Sequence, residues 1–166
     1  MLKKIPIAIE DFKEITEQNY FYVDKTKFIE DILNDGAKIK LFCRPRRFGK
    51  TLNMSTLKYF FDIKNSRENR KLFDGLYISK SPFMSEQGKY PVIFISMKGI
   101  TGHNWKSSFS DIKLKIKELF KDYSYLVDSL NKYDKLDFEK YILDIEKVRV
   151  AAVLNRSLFI VEERTC

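Results

Sequence analysis

Hydrophobic positions along the 166-residue chain fall into short periodic blocks separated by polar, turn-forming stretches. In "NYFYVDKTKFIEDILNDG" the start is extended, and then Phe28, Ile29, Ile32 and Leu33 recur at helical spacing. Gly36 stands where that helix would stop, and Asp24 or Thr26 where it would be capped. "KIKLFC", residues 38–43, has a strand's length and apolarity and predicts a buried strand. Beyond the next loop, Leu52, Met54, Leu57, Phe60 and Phe61 share one face of a helix of about three turns.

Residues 64–90 are polar and turn-rich, with "LFDGLYI" as a short packed piece and "SPFMSEQGKYP" as a loop. "YPVIFISM" is apolar on both faces, as a central parallel strand would be. Trp105, Phe109, Ile112, Ile116, Leu119, Phe120 and Tyr123 then step along the apolar face of an amphipathic helix, whose "KLKIKELFK" lysines form its solvated side. "LDFEKYILDIEKV" predicts a further helix. No repeat, low-complexity tract or Gly/Ser linker divides the chain. Strands alternating with helices predict an α/β layered domain with a mostly parallel sheet.

Composition narrows the function classes. With 44% hydrophobic and 33% charged residues the chain has globular and not disordered character. The longest apolar runs, "PVIFI" and "VAAVL", are too short to cross a bilayer, so no membrane partner is expected. "MLKKIPIAIEDF" has no apolar h-region, and Cys43 and Cys166 make neither a disulfide framework nor a metal motif. A cytoplasmic protein is expected. The single histidine, His103 in a loop, leaves no Ser-His-Asp, Cys-His or metal-ligand cluster to build.

Charge changes the picture more. The net charge is +8, and residues 36–72 alone carry 11 basic and 2 acidic side chains. Such a concentration suits an anionic ligand, either nucleotide phosphates or a nucleic-acid backbone. At its centre lies "LFCRPRRFGKTLN", residues 41–53, which contains the end of a phosphate-binding loop. In G-x-x-x-x-G-K-[ST], backbone amides curl around an anion at a helix N-terminus, the lysine reaches the β- and γ-phosphates, and the next hydroxyl ligates Mg²⁺. Gly49, Lys50 and Thr51 would be those parts, but the first glycine is replaced by Arg44. By composition, G-K-[ST] occurs in roughly one in ten chains of this length, so the predicted strand before it and helix after it carry the assignment. Arg44-Pro45 can turn the chain by another route, and Arg44, Arg46 and Arg47 add guanidinium donors for phosphate.

The order "IPIAIEDFKEI", "YFYVDKTKFIEDIL", "KLFCRPRRFGKTLNMSTLKYFF", "LFDGLYI" and "YPVIFISMKGI" resembles the AAA-ATPase-like family, over roughly residues 4–145. These are largely uncharacterised bacterial proteins with an "RPRRFGK[ST]" loop, many with a PD-(D/E)XK nuclease-like domain further along. The resemblance implies one incomplete P-loop NTPase-like three-layer domain over residues 1–166, with residues 147–166 a divergent tail. It implies ATP and Mg²⁺ as cofactors, bound by Arg44, Arg46, Arg47, Phe48, Gly49, Lys50 and Thr51, with Thr51 on the metal. It extends an adenine-side role to Tyr22, Val23 and Asp24, for which an edge strand and a helix cap are the competing roles.

Turnover needs an acidic strand end as well. The family has an apolar run followed by "DEYD", whereas this chain has "SLFIVEERTC". Glu162 and Glu163 are its catalytic candidates, set against a merely charged terminus. Three readings therefore stand: an ATP-binding P-loop domain, a relative that binds without turnover, and a non-enzymatic nucleic-acid or anion-binding module. An incomplete sheet would also leave an edge open to self-association.

Overall fold

Asp11 opens the first helix, α1 (Phe12–Glu17): its carboxylate accepts from the Glu14 amide at 3.0 Å, and Phe12 and Ile15 turn inward. This is the start of a mixed helix-and-strand chain, of which a computed structural model describes residues 2–45, 47–143 and 158–162. It has two compact units, Met1–Val92 and Ile93–Arg164.

In the first unit, α2 (Lys27–Asn34) and α3 (Lys50–Phe61) form where the apolar spacing predicts them. Asp35 ends α2, so Gly36 lies just outside it. The core is aromatic. Phe73 has its ring centroid 5.1 Å from Phe12 and 5.3 Å from Phe60, and Phe60 meets Phe61 edge-on at 5.0 Å. Each such pair adds about 0.5–1.5 kcal/mol to the apolar burial itself. Leu72, Phe73 and Ile78 are buried, as "LFDGLYI" predicts, with Gly75 at φ 78° making the turn between them. A 3₁₀ turn, Tyr77–Lys80, begins at the end of that piece, and the segment expected as a loop, residues 81–91, contains a second, Pro82–Glu86, with Ser81 between them accepting from the Phe83 amide. Residues 88–90 are strapped to the end of α3, the Gly88 amide donating to Phe60 and the Tyr90 amide to Phe61. A further helix, α4 (Ser66–Lys71), was not legible in "SRENRK", because its one buried side chain is the polar Asn69.

The strand expected at 38–43 does not form. Ile39 and Leu41 are 87% and 80% exposed. An extended segment must hand its amides and carbonyls to a neighbouring strand, and among the described residues none pairs here. Lys40 instead folds back, its ammonium donating to the Asp35 and Ala37 carbonyls at 2.7 and 2.9 Å.

β1 (Val92–Ser96) starts at the last residue of the first unit, and the second unit holds the rest of it with α5 (Trp105–Asp122), α6 (Lys132–Leu143) and β2 (Leu158–Glu162), β1 and β2 being paired in a two-stranded sheet. α5 starts at a capping box in which the Asn104 side chain accepts from the Ser107 amide and the Ser107 hydroxyl answers the Asn104 amide. It meets α6 through Phe120 and Phe138, edge-on at 5.1 Å. The helix falls where expected, but Trp105 and Phe109, expected on its packed face, are 74% and 42% exposed. The expected continuation of α6 past Leu143 lies outside the described residues, as do Cys166 and most of the 147–166 tail. No helix among the described residues is long and apolar enough to cross a membrane.

Candidate phosphate-binding site

The loop's conformation explains the arginine at position 44. Left-handed backbone occurs at Arg47 (φ 67°) and at Gly49 (φ 71°, ψ 26°), and not at Arg44. A first glycine is unnecessary where φ stays negative, so Arg44 costs nothing there. The strain moves to Arg47, where a non-glycine residue in the left-handed region costs roughly 1–2 kcal/mol. Gly49 has empty space where a Cβ would sit, so its requirement is conformational and not steric.

Gly49 is the N-cap of α3, and its carbonyl accepts from the Asn53 amide at 2.9 Å. Among the described residues no side chain caps this end, and no carboxylate lies in the first turn. The positive end of the helix dipole is therefore left for an external anion. The half-buried Lys50 is the first helical residue, and its ammonium crosses the loop to the Arg44 carbonyl at 2.7 Å. Entrance and helix start are thus brought together by one bond. Thr51 sits in the same first turn, half-buried. Arg44, Arg47 and Phe48 are exposed around the loop, Phe48 by 58%. Arg46 lies outside the described residues.

α3 is held from behind by residues that sequence reasoning missed. Ser55 accepts from the Phe12 amide at 2.9 Å, and the Tyr59 hydroxyl donates to Asp11 Oδ2 at 3.0 Å. Burial, reinforced by the Asp11 charge, pushes the Tyr59 phenol well above its ordinary value. These pairs are more than 40 residues apart in sequence, so no local spacing could announce them.

The "YVDKT" residues have a structural task. Asp24 Oδ1 accepts from the Thr26 amide and hydroxyl at 2.8 and 2.7 Å, and Oδ2 from the Tyr77 amide at 2.7 Å. Thr26, the N-cap of α2, accepts in turn from the Ile78 amide at 3.2 Å. Tyr22 packs edge-on against Phe12, while Val23 is 59% exposed. Of the catalytic candidates, Glu162 is the last residue of β2, and Glu163 lies outside the described residues. No group of three or more potential metal ligands occurs among the described residues.

Residues 6–161 match the family model described as Predicted AAA-ATPase. The chain belongs to the AAA-ATPase-like family. The match runs past residue 145, so most of the segment after Val148 lies within the family's span. The AAA-ATPase-like chain is also similar to an uncharacterised protein encoded in the vnfD 5′ region of Azotobacter chroococcum mcd 1. The two are 40% identical over 98 residues, 58% of this chain and 17% of that protein. The chain thus spans about a sixth of that relative's length. No solved structure matches.

Proposed function

We propose that residues 44–51 and the N-terminus of α3 bind the phosphates of ATP, and that the chain is one partial P-loop domain of an AAA-ATPase-like protein. The observation that carries this is the turn through Arg47 and Gly49 into a helix end with, among the described residues, neither a side-chain cap nor a carboxylate in its first turn, and with the Lys50 ammonium lying across the loop. In this reading Lys50 exchanges the Arg44 carbonyl for β- and γ-phosphate oxygens, a charge-assisted bond for a neutral one. Arg44, Arg46 and Arg47 grip the outer phosphate oxygens, and Phe48 sits at the entrance. Thr51 would hold Mg²⁺, which when bound polarises the phosphates. Glu162 and Glu163 are the residues that a hydrolytic step would call on. The three-layer P-loop architecture belongs to the same proposal, supported by family membership and by the β1–β2 pairing.

The test is titration with a fluorescent ATP analogue, with and without Mg²⁺. Lys50→Ala is expected to weaken binding at least about tenfold, the equivalent of one lost charged hydrogen bond. Thr51→Ala is expected to remove the gain from Mg²⁺. Equal affinity of Lys50→Ala and the parent chain would end the assignment.

A further inference from the structure

Two aromatic rings that should pack inward stand in solvent at the start of α5. Trp105 and Phe109 are stacked, with centroids 5.4 Å apart and planes 20° from parallel. Lys113 continues the ladder, its ammonium 4.7 Å from the Phe109 centroid. The helix is also divided by charge. At about 100° per residue, Lys113, Lys106, Lys117 and Lys121 fall within an arc about 80–160° from Trp105, next to Phe109 at about 40°. Asp111, Glu118 and Asp122 fall at about 220–260°, on the other side, with Lys115 beside them at about 280°. Two of those acids, Glu118 and Asp122, line a hollow against Phe94, Ile95 and Ser96 of β1. Lys115 lines the same hollow, so Glu118, Asp122 and Lys115 turn toward β1, whereas Lys106, Lys113, Lys117, Lys121 and the open rings are not among its lining residues.

We propose that the Trp105–Phe109 pair and its lysine stripe form a stacking platform for single-stranded nucleic acid. Flat rings beside a row of ammonium groups match the two repeating chemistries of a single strand, unpaired bases and phosphates. Lys113, Lys117 and Lys121 rise by about 6 Å per step along the helix, close to the extension of one nucleotide in a stretched strand. A lipid surface fits less well. The other exposed apolar residue of α5, Leu114, lies about 180° from Trp105, so no continuous apolar face exists to enter an interface. An acidic peptide would engage the lysines but leave the outer face of Trp105 unused. α5 belongs to the second unit and the 44–51 loop to the first, and the proposal does not rest on nucleotide binding at that loop.

Trp105 is the only tryptophan, so its emission reports on the platform directly. The full chain is titrated with a 12-mer oligo(dT), reading emission of the unlabelled complex and anisotropy of a labelled one. Oligo(dT) is expected to quench Trp105, whether or not ATP is present, and heparin to compete without quenching. Trp105→Ala should weaken oligo(dT) binding at least about fivefold, and Trp105→Phe by less, because a ring remains. The Lys113→Ala/Lys117→Ala pair should reduce the salt slope of log affinity by about 1.4. Far-UV circular dichroism checks that each variant is folded. No quenching at saturating oligo(dT), loss of the quenching with ATP, or unchanged affinity of Trp105→Ala would overturn the proposal. So would an equal response to polyglutamate, or a blue shift with phosphatidylserine vesicles where oligo(dT) is silent.

Discussion

Thr26 shows how much one buried hydroxyl can organise. It is fully buried, it donates to Asp24, and it accepts from the Ile78 amide. Thr26→Val keeps the shape but leaves that amide unanswered, and is expected to cost about 1–3 kcal/mol in urea unfolding, whereas Thr26→Ser should cost less. Tyr59 gives a pH-dependent case. Its folded-state value lies above the ordinary 10.0, raised first by burial and then by the Asp11 carboxylate. Below pH 10 the phenol is protonated in both states and its contribution is complete. As pH rises past 10 the unfolded chain releases that proton first, so stability falls. The urea midpoint should drop between pH 9 and pH 11, and drop less in Tyr59→Phe. At this scale the sequence was a good guide to the cap at Asp24 and Thr26. It could not reveal why Arg44 is tolerated, because the answer is a backbone angle three residues further on.

Helices with apolar spacing were legible: α2, α3 and α5 fall where periodicity puts them. What failed was inference from apolarity to burial. "KIKLFC" has a strand's composition, yet a strand exists only with a neighbour to share its hydrogen bonds, and a neighbour is not a property of the segment. Trp105 and Phe109 failed for the same reason, since a stripe of rings says nothing about whether an element covers it. α4 failed in the opposite sense, with a polar residue inside. Hydrogen exchange should separate these cases. Amides of residues 39–43 are expected to exchange at nearly unfolded rates, while those of residues 54–61 in α3 are protected. Slow exchange over 39–43 would mean that a partner strand is present in solution.

On the scale of the molecule, the positive window at residues 36–72 was visible in the raw sequence, and so was the family. The contacts that support the loop from behind were not, because they join segments on either side of it. The Phe12 amide meets Ser55, Asp11 meets Tyr59, Asp24 and Thr26 meet residues 77 and 78, and Glu30 accepts from the Ser81 hydroxyl at 2.8 Å. All of these bridge the exposed stretch that holds Arg44 and Arg47. Scission of the peptide bond after Arg47, which trypsin can make, should therefore nick the molecule without dismantling it. The pieces ending at Arg47 and starting at Phe48 are expected to co-elute on a native sizing column and to part only in denaturant.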